Sequence, residues 1–243
     1  MALPKHCTLA GICLLCLALV GCPHEQAKRE GEVVPPPEGD AALAPPTLAG
    51  QVFYVYADVE LPPDKAEADA KTDAKADAPP KPKIPQHHFS PSGWLGDYEA
   101  AIDLATNCTT QPHSGNTCIK VAYSAEGEVG WASGYWLHPK GNWGERAGHD
   151  LKSALRLTFW ARGEKGGEVV SFKMGGVPGA KRDTAEVGTE KLTLSADWTK
   201  FVIDLRGADL SNVVGGFAFT ITRADNPKGG TFYLDEIRYE LRG

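Results

Sequence analysis

The chain has 243 residues, a formal net charge of −6, 27 glycines and 18 prolines. It carries no cluster of lysines and arginines that could neutralise a phosphate backbone, so the charge pattern excludes nucleic acid as a partner. Residues 23–49 and 61–86 are rich in proline and alanine and show no hydrophobic period. Such segments bury too little apolar surface to fold, which leaves the rest of the chain for a folded domain.

The N-terminus has the pattern of an export signal. Lys5 precedes an apolar run over 9–20 that is too short to span a bilayer and is typical of a signal peptide. The run ends in LVGC at Cys22, which resembles the bacterial lipobox. That resemblance implies removal of residues 1–21, which changes the net charge to −7, and a lipid on Cys22 that attaches the chain to the cell envelope. An ordinary secretory signal is the alternative.

Proline at position 23 bears on which membrane holds the anchor. Many inner-membrane lipoproteins carry aspartate after the lipidated cysteine, so Pro23 favours the outer membrane. We therefore expect a lipid-anchored, extracytoplasmic protein. Residues 22–50 are predicted to be a disordered tether.

The folded domain is predicted to span 51–243. The segment QVFYVYADVE at 51–60 is aromatic and β-branched, which predicts a strand, with 61–86 as a disordered insert after it. The alternative for 51–60 is a partly apolar linker. Cys108 and Cys118 remain after signal removal, and two nearby cysteines in an exported chain predict a disulfide.

From Phe89 onward, short alternating runs separated by glycine-rich turns predict an all-β fold of about nine or ten strands, a β-sandwich of jelly-roll type. The runs are CIKVAYS at 118–124, ALRLTFWARG at 154–163, VVSFKMGG at 169–176, KLTLSADWTKFVIDL at 191–205, VVGGFAFTITR at 213–223 and TFYLDEIRYE at 231–240. Alternation predicts Leu157, Phe159 and Ala161 in the core and Trp160 on the outer face.

The closing segment, DWTKFVIDLRG…GGFAFTITRADNPKGGTFYLDEIRYE at 197–240, resembles the end of galactose-binding-like jelly-roll modules. These include carbohydrate-binding modules of families 4, 11 and 22, in which a W-x-x-F-x-[IV]-D-L strand leads to a final F-Y-[LI]-D-[DE]-[IV] strand. The segments HHFSPSGWLGDY and GWASGYWLHPKGNWG also resemble such domains. The resemblance runs from about 51 to 240 and implies a glycan as ligand.

Half of the six tryptophans lie in GWASGYWLHPKGNWG at 130–144. A strand from Val129 to His138 would place Trp131 and Tyr135 on the core face and Trp136 on the outer face. Indole rings stack on the apolar faces of sugars, and planar polar side chains bind the hydroxyls. The candidate carbohydrate-binding residues are Trp136, Trp143, Asn142, His138, Trp131, Tyr135 and Trp160. The alternative is that these rings are packing residues.

Asp235 shares a strand face with apolar residues, and a buried charge needs compensation. In the resembling modules the matching aspartate often helps to hold a structural Ca²⁺, so the resemblance implies calcium, with Asp97 and Asp58 as further candidate ligands. The alternatives for Asp235 are an arginine pair or an exposed edge.

No GxSxG, HExxH or other recognisable acid–base motif occurs, so we expect no enzyme activity. The function that these patterns favour is lipid-anchored, non-catalytic binding of a polysaccharide or oligosaccharide by aromatic stacking. The first alternative is an envelope lipoprotein whose sandwich domain docks another protein. The second is a divergent glycan-active enzyme or accessory subunit.

Overall fold

The computed structural model describes residues 29–30, 52–58 and 86–242. Their strands are β1 (Arg29–Glu30), β2 (Val52–Tyr56), β3 (Ser90–Gly96), β4 (Ile102–Cys108), β5 (Cys118–Tyr123), β6 (Trp131–Leu137), β7 (Ala154–Gly163), β8 (Val169–Gly175), β9 (Glu186–Gly188), β10 (Leu192–Thr193), β11 (Thr199–Asp204), β12 (Gly215–Thr222) and β13 (Gly230–Leu241), with one short helix α1 (Tyr98–Ala101). Within these residues no helix has the length and hydrophobicity needed to cross a bilayer.

The strands form two sheets. The first sheet has the order β1-β9-β8-β12-β6-β3, with β10 also paired to β8. The second has the order β11-β7-β13-β5-β4, with β2 also paired to β13. All of these pairs are antiparallel except β1 with β9, which is parallel. The predicted all-β sandwich is therefore confirmed.

Aromatic side chains fill the space between the sheets. Phe159 of the second sheet lies 4.8 Å from Phe172 and 5.2 Å from Phe217 of the first, measured between ring centroids. Phe219 and Phe232 meet edge to face at 5.3 Å. Offset and edge-to-face rings of this kind fix the relative position of the two sheets beyond what burial alone supplies.

Most predicted strands match observed ones, and β7 has the predicted bounds. Leu157, Phe159 and Ala161 are buried as expected, and Trp160 lies on the outer face. The segment at 51–60 contributes β2, which pairs with the closing strand β13.

The N-terminal regions are described only in small part. The signal peptide at 1–21, Cys22 and the insert at 61–86 lie outside the described residues, apart from residue 86. Within the predicted tether, two residues form β1 beside β9, and the others are not described. The signal peptide, the lipid anchor and the insert stay predictions.

Candidate carbohydrate-binding surface

Trp136 lies in the core, so the predicted face assignment along β6 is wrong. Its side chain is only 1% exposed and packs edge to face on Phe217 at 5.5 Å and on Phe219 at 6.3 Å. Gly134, on the same face, leaves room for the Phe219 ring, which would lie 2.6 Å from a Cβ there. Small residues on this face therefore mark where rings from β12 pack, and the indole of Trp136 cannot offer a face to a ligand.

The opposite face of β6 points away from the core and carries Trp131, Ser133, Tyr135 and Leu137. Trp131 is partly exposed, whereas Tyr135 and Leu137 are covered by Val177, Val214 and the ring of Trp143. The Trp143 ring lies 5.5 Å from Tyr135, over Gly93 of β3, whose lack of a side chain makes room for the indole. Trp143 is itself partly exposed, as predicted.

Three hydroxyl side chains, Ser133, Thr220 and Ser171, form a row across three neighbouring strands beside these aromatic residues, and we call this row the floor. Ser133 faces Thr220 of β12, which in turn faces Ser171 of β8. Thr220 Oγ1 donates to Ser133 Oγ at 3.2 Å, and Ser133 donates to the carbonyl of Phe219. Ser171 and Thr220 are partly exposed, so their hydroxyls remain within reach of a ligand.

An ion pair borders the floor on β8 and β9. Lys173 Nζ donates to Glu186 Oε1 at 2.9 Å and lies 5.4 Å from the centroid of the Tyr135 ring. Burial lowers the pKa of Lys173, but hydrogen bonds to Tyr135 and Glu186 outweigh that effect and raise the pKa above its usual value. The lysine therefore stays charged beside the aromatic rings. We call Trp131, Ser133, Tyr135, Trp143, Ser171, Lys173, Glu186 and Thr220 the Trp131–Trp143 surface, in which Ser133 and Tyr135 are buried and the other side chains are partly exposed.

Asn142 has a structural role and does not face a ligand. Its side chain is buried; Nδ2 donates to the carbonyls of His138 and Arg146, and Oδ1 accepts from the amides of Gly144, Glu145 and Arg146. These bonds use the whole hydrogen-bonding capacity of the amide. The interpretation of Asn142 as a hydroxyl ligand is therefore corrected: it shapes the loop that presents Trp143.

The His138 ring packs on other aromatic side chains of the protein. Its ring stacks on His149 at 3.6 Å and meets Phe89 edge to face at 6.1 Å. Phe89 belongs to the main core cluster, so the His138 ring packs beside the core. The predicted pairing of His138 with Trp143 at one ligand is not observed.

Trp160 lies on the outer face of the second sheet. The ring of His113 stacks on it at 3.8 Å, and Trp198 meets the same histidine edge to face at 5.9 Å. The prediction that Trp160 extends the platform of Trp143 is therefore wrong, because Trp160 lies on the second sheet, whereas the Trp143 ring packs against Tyr135 and Gly93 of the first.

The three predicted calcium ligands are not brought together. Asp235 Oδ2 accepts from the amides of His113 and Ser114 at 3.0 and 3.2 Å, and Asp58 Oδ2 accepts from the amides of Asn116 and Thr117. Asp97 instead holds a separate turn, accepting from the amides of Val129 and Gly130. No three His, Cys, Asp or Glu side chains among the described residues form a metal-binding group.

Calcium binding by these three aspartates therefore lacks support from their geometry and stays a prediction. The carboxylates of Asp58 and Asp235 act on one loop, residues 109–117, which they hold against the second sheet by accepting its amide hydrogens. Burial raises the pKa of Asp235 to about 6, although its bonds to Ser114, Glu236 and His113 oppose the shift. Melting curves with and without EDTA test the calcium prediction directly.

Cys108 and Cys118 close the base of the same loop. They stand opposite each other in the register of β4 and β5, and both are free thiols in the structure. Burial raises the pKa of Cys118 to about 12. The predicted disulfide is not formed here and stays a prediction, which the strand register favours.

Several residues of the Trp131–Trp143 surface were not predicted from the sequence. Lys173, Glu186 and Thr220 come from three strands that only the fold brings beside β6. The alternation of VVSFKMGG, which buries Val170, Phe172 and Met174, does place Lys173 on the outer face. No pattern in the sequence indicates that this face adjoins β6.

Solved structures similar to this chain are carbohydrate-binding modules. A family 30 module is 20% identical over 64% of this chain and 87% of its own, with a TM-score of 0.47. The family 30 module of a cellulosomal cellulase of Clostridium thermocellum is 21% identical over 64% and 96%, with a TM-score of 0.45. A family 11 module from Clostridium thermocellum, in complex with a β-1,3-1,4-mixed-linked tetrasaccharide, is 14% identical over 63% and 96%, with a TM-score of 0.38.

No protein-family model and no curated protein matches the chain. The quoted TM-scores lie below 0.5, so these likenesses assign no ligand to this chain.

Proposed function

We propose that this chain is a lipid-anchored, extracytoplasmic, non-catalytic protein that binds a glycan on the Trp131–Trp143 surface. The observation that carries the proposal is the pair of partly exposed indoles, Trp131 and Trp143, with a hydroxyl-bearing floor between them. An exposed aromatic residue next to convergent polar groups is the usual composition of a binding site.

The geometry suits an extended ligand. Trp131 and Tyr135, which contacts Trp143, are four residues apart on one strand face, so their Cα atoms are about 13 Å apart at roughly 3.3 Å per residue. Sugar rings would stack on the two indoles, and hydroxyls between them would reach Ser171 and Thr220. The Lys173–Glu186 pair offers both a donor and an acceptor at one side.

The carboxylates near this surface are engaged in structural bonds. Glu186 is paired with Lys173, and Glu145 Oε2 accepts from the amide of Trp143 at 2.8 Å. Glycoside hydrolysis needs two carboxyl groups facing the scissile bond, one of them protonated as the acid. Incubation with each bound glycan, followed by an assay for new reducing ends, tests the non-catalytic part of the proposal.

A glycan array tests the binding itself. The probe is the chain from residue 22 onward with Cys22→Ser, so that no lipid is attached. We expect binding to at least one polysaccharide, which Trp131→Ala and Trp143→Ala each weaken at least tenfold. Trp160→Ala, on the other sheet, is the matched control and should bind like the unmodified chain.

A protein-docking function is the alternative. It would be favoured if the array gave no signal while envelope proteins co-purified with the chain and were lost from both the Trp131 and the Trp143 variants. Tryptophan is enriched at protein interfaces as well, so the same two variants test both functions.

A further inference from the structure

Three partly exposed histidines, His88, His138 and His149, lie in direct contact. The His138 ring stacks on His149 with centroids 3.6 Å apart, and the His88 ring meets His149 edge to face at 5.7 Å. His149 Nε2 also lies 3.2 Å from the carbonyl oxygen of His88. We call these three residues the histidine cluster.

The cluster closes the base of the loop that carries Trp143. His138 follows the last residue of β6, and His149 exchanges two backbone hydrogen bonds of 2.9 and 2.8 Å with Val213. Trp143 lies between them, in the loop at residues 139–148. The contact between the two histidine rings therefore joins the two ends of this loop, and a change that separates the rings acts on the segment that presents Trp143.

The surroundings of the cluster favour uncharged imidazole rings. Burial is the main cause of the lowered pKa of His149, and its bond to the carbonyl of His88 opposes that effect only in part. Burial also lowers the pKa of His88, assisted by positive charge on His138 and His87. Phe53 stacks on His88 at 3.8 Å and meets His149 edge to face at 4.9 Å, so an apolar ring excludes water on that side.

The charged groups on the adjoining loop do not neutralise a proton on the cluster. Asp150 pairs with Lys152 at 3.0 Å, and Glu145 accepts a hydrogen bond from an amide of the loop. Lys140 and Arg146 are exposed cations on the same loop. Protons taken up by neighbouring rings of the cluster therefore repel one another and meet further positive charge.

Two other ionisable side chains lie on elements packed around the cluster. Tyr239 of β13 stays neutral, because burial raises its pKa. Asp183 accepts hydrogens from three backbone amides, those of Val177, Val214 and Gly215. Burial raises the pKa of Asp183 to about 6, so its titration overlaps with that of histidine and requires a variant of its own.

We propose that His138 and His149 are positioning residues for Trp143, and that glycan binding on the Trp131–Trp143 surface weakens when the histidine cluster takes up protons. This inference rests on the proposed glycan-binding function. The neutral rings hold the loop closed above about pH 6.5, the ordinary pKa of histidine. That stabilisation is lost as the pH falls through the lowered pKa values of His88 and His149, because the folded state binds these protons less tightly than the unfolded state does.

The first test needs no glycan. It is an NMR titration, from about pH 7.5 to about pH 5, of the chain from residue 22 onward with Cys22→Ser. The indole signal of Trp143, assigned by its loss from Trp143→Ala, should shift together with the ring signals of the histidine cluster. The amide signals of β7 should keep their folded positions, which distinguishes a local change from unfolding. A Trp143 signal that stays constant while the cluster titrates overturns the positioning role.

The second test measures the affinity for the best glycan from the array by calorimetry at the same two pH values. The dissociation constant should rise at least threefold on acidification. His149→Phe and His138→Phe each keep a flat ring that takes up no proton, so in either variant the rise should be less than twofold. Each variant tests the proposal on its own if the other fails to fold.

Two controls identify the groups that titrate. His113→Phe removes a histidine of the second sheet that stacks on Trp160, and it should keep the rise of at least threefold. Asp183→Asn should keep it as well, since the amide side chain does not ionise. Loss of the pH dependence in Asp183→Asn, or its full retention in both cluster variants, would assign the effect to groups other than the histidines and overturn the proposal.

The outcomes separate this inference from the function on which it rests. A glycan that binds with the same dissociation constant at both pH values overturns the pH dependence alone and leaves the proposed function standing. Absence of glycan binding at both pH values overturns the proposed function, and the pH-dependent binding with it.

Discussion

Trp131 and Trp136 are five positions apart on one strand and have opposite environments. Trp136 fills the space between Phe217 and Phe219, whereas Trp131 remains partly exposed on the outer face of the first sheet. Because alternation has a period of two, an odd separation places the two indoles on different faces. Stability should therefore depend on one of them and ligand binding on the other.

Trp136→Ala should reduce the free energy of unfolding by about 3–5 kcal/mol, as for other large-to-small core substitutions. Trp131→Ala should reduce it by no more than about 1 kcal/mol, because its side chain is only partly buried. Urea unfolding of both variants checks this. A larger loss for Trp131→Ala than for Trp136→Ala would contradict the face assignment.

At the residue scale, the sequence predicts that side chains alternate between the two faces of β6. It does not predict which of the two faces is turned to the core. The face with Ala132 and Gly134 has small residues because rings from β12 fill the space over it. The face with Tyr135 and Leu137 has large residues because loops around Trp143 and Val177 cover it. Both coverings come from distant segments, so the residues of β6 alone do not reveal which face is the core.

At the scale of elements, the loop at residues 109–117 depends on the ionisation of Asp235. Burial raises the pKa of Asp235 to about 6, against about 3.9 for an exposed aspartate. The folded state therefore holds this proton more tightly than the unfolded state does. The resulting stability is fully present below about pH 4 and is lost as the pH rises through 6.

Asp235→Asn should remove this pH dependence. The difference in unfolding free energy between the unmodified chain and the variant should fall by up to about 3 kcal/mol between pH 4 and pH 7. Chemical unfolding of both proteins across that range measures it. A difference that stays constant, or one that grows as the pH rises, would contradict the raised pKa.

The same loop is where the predicted disulfide would act. Joining Cys108 to Cys118 would close a loop of about 11 residues and stabilise the fold by about 2.5–3 kcal/mol on chain-entropy grounds. We expect protein exported to an oxidising compartment to show no free thiol at these positions and to melt at a lower temperature after reduction. A Cys108→Ser, Cys118→Ser double variant should melt like the reduced protein, with no further effect of reductant.

The strands themselves were largely predictable, since their alternation and the glycine-rich turns are local features. β7 has the predicted bounds, and β2 joins the domain as the composition of 51–60 indicated. The role of the 109–117 loop was not predictable. It depends on Asp58 and Asp235, which lie 58 or more residues away in sequence from the amides whose hydrogens they accept.

At the scale of the whole molecule, the proposed attachment to a membrane would depend on one atom, Cys22 Sγ. We expect Cys22→Ser to move the protein from the membrane fraction to the soluble fraction without changing the melting temperature of the folded domain. Fractionation of cells that express each form measures this. Retention of the serine variant in the membrane fraction would contradict the lipid anchor, which rests on the lipobox resemblance alone.

The central claim is that the outer face of the first sheet binds a glycan. The most direct measurement is calorimetric titration of the best glycan from the array into the unmodified chain, Trp131→Ala, Trp143→Ala and the control Trp160→Ala, each first shown to be folded. We predict affinity lost at least tenfold in the first two variants and unchanged in the control. Equal affinity in all four proteins, or a loss only with Trp160→Ala, would contradict the account.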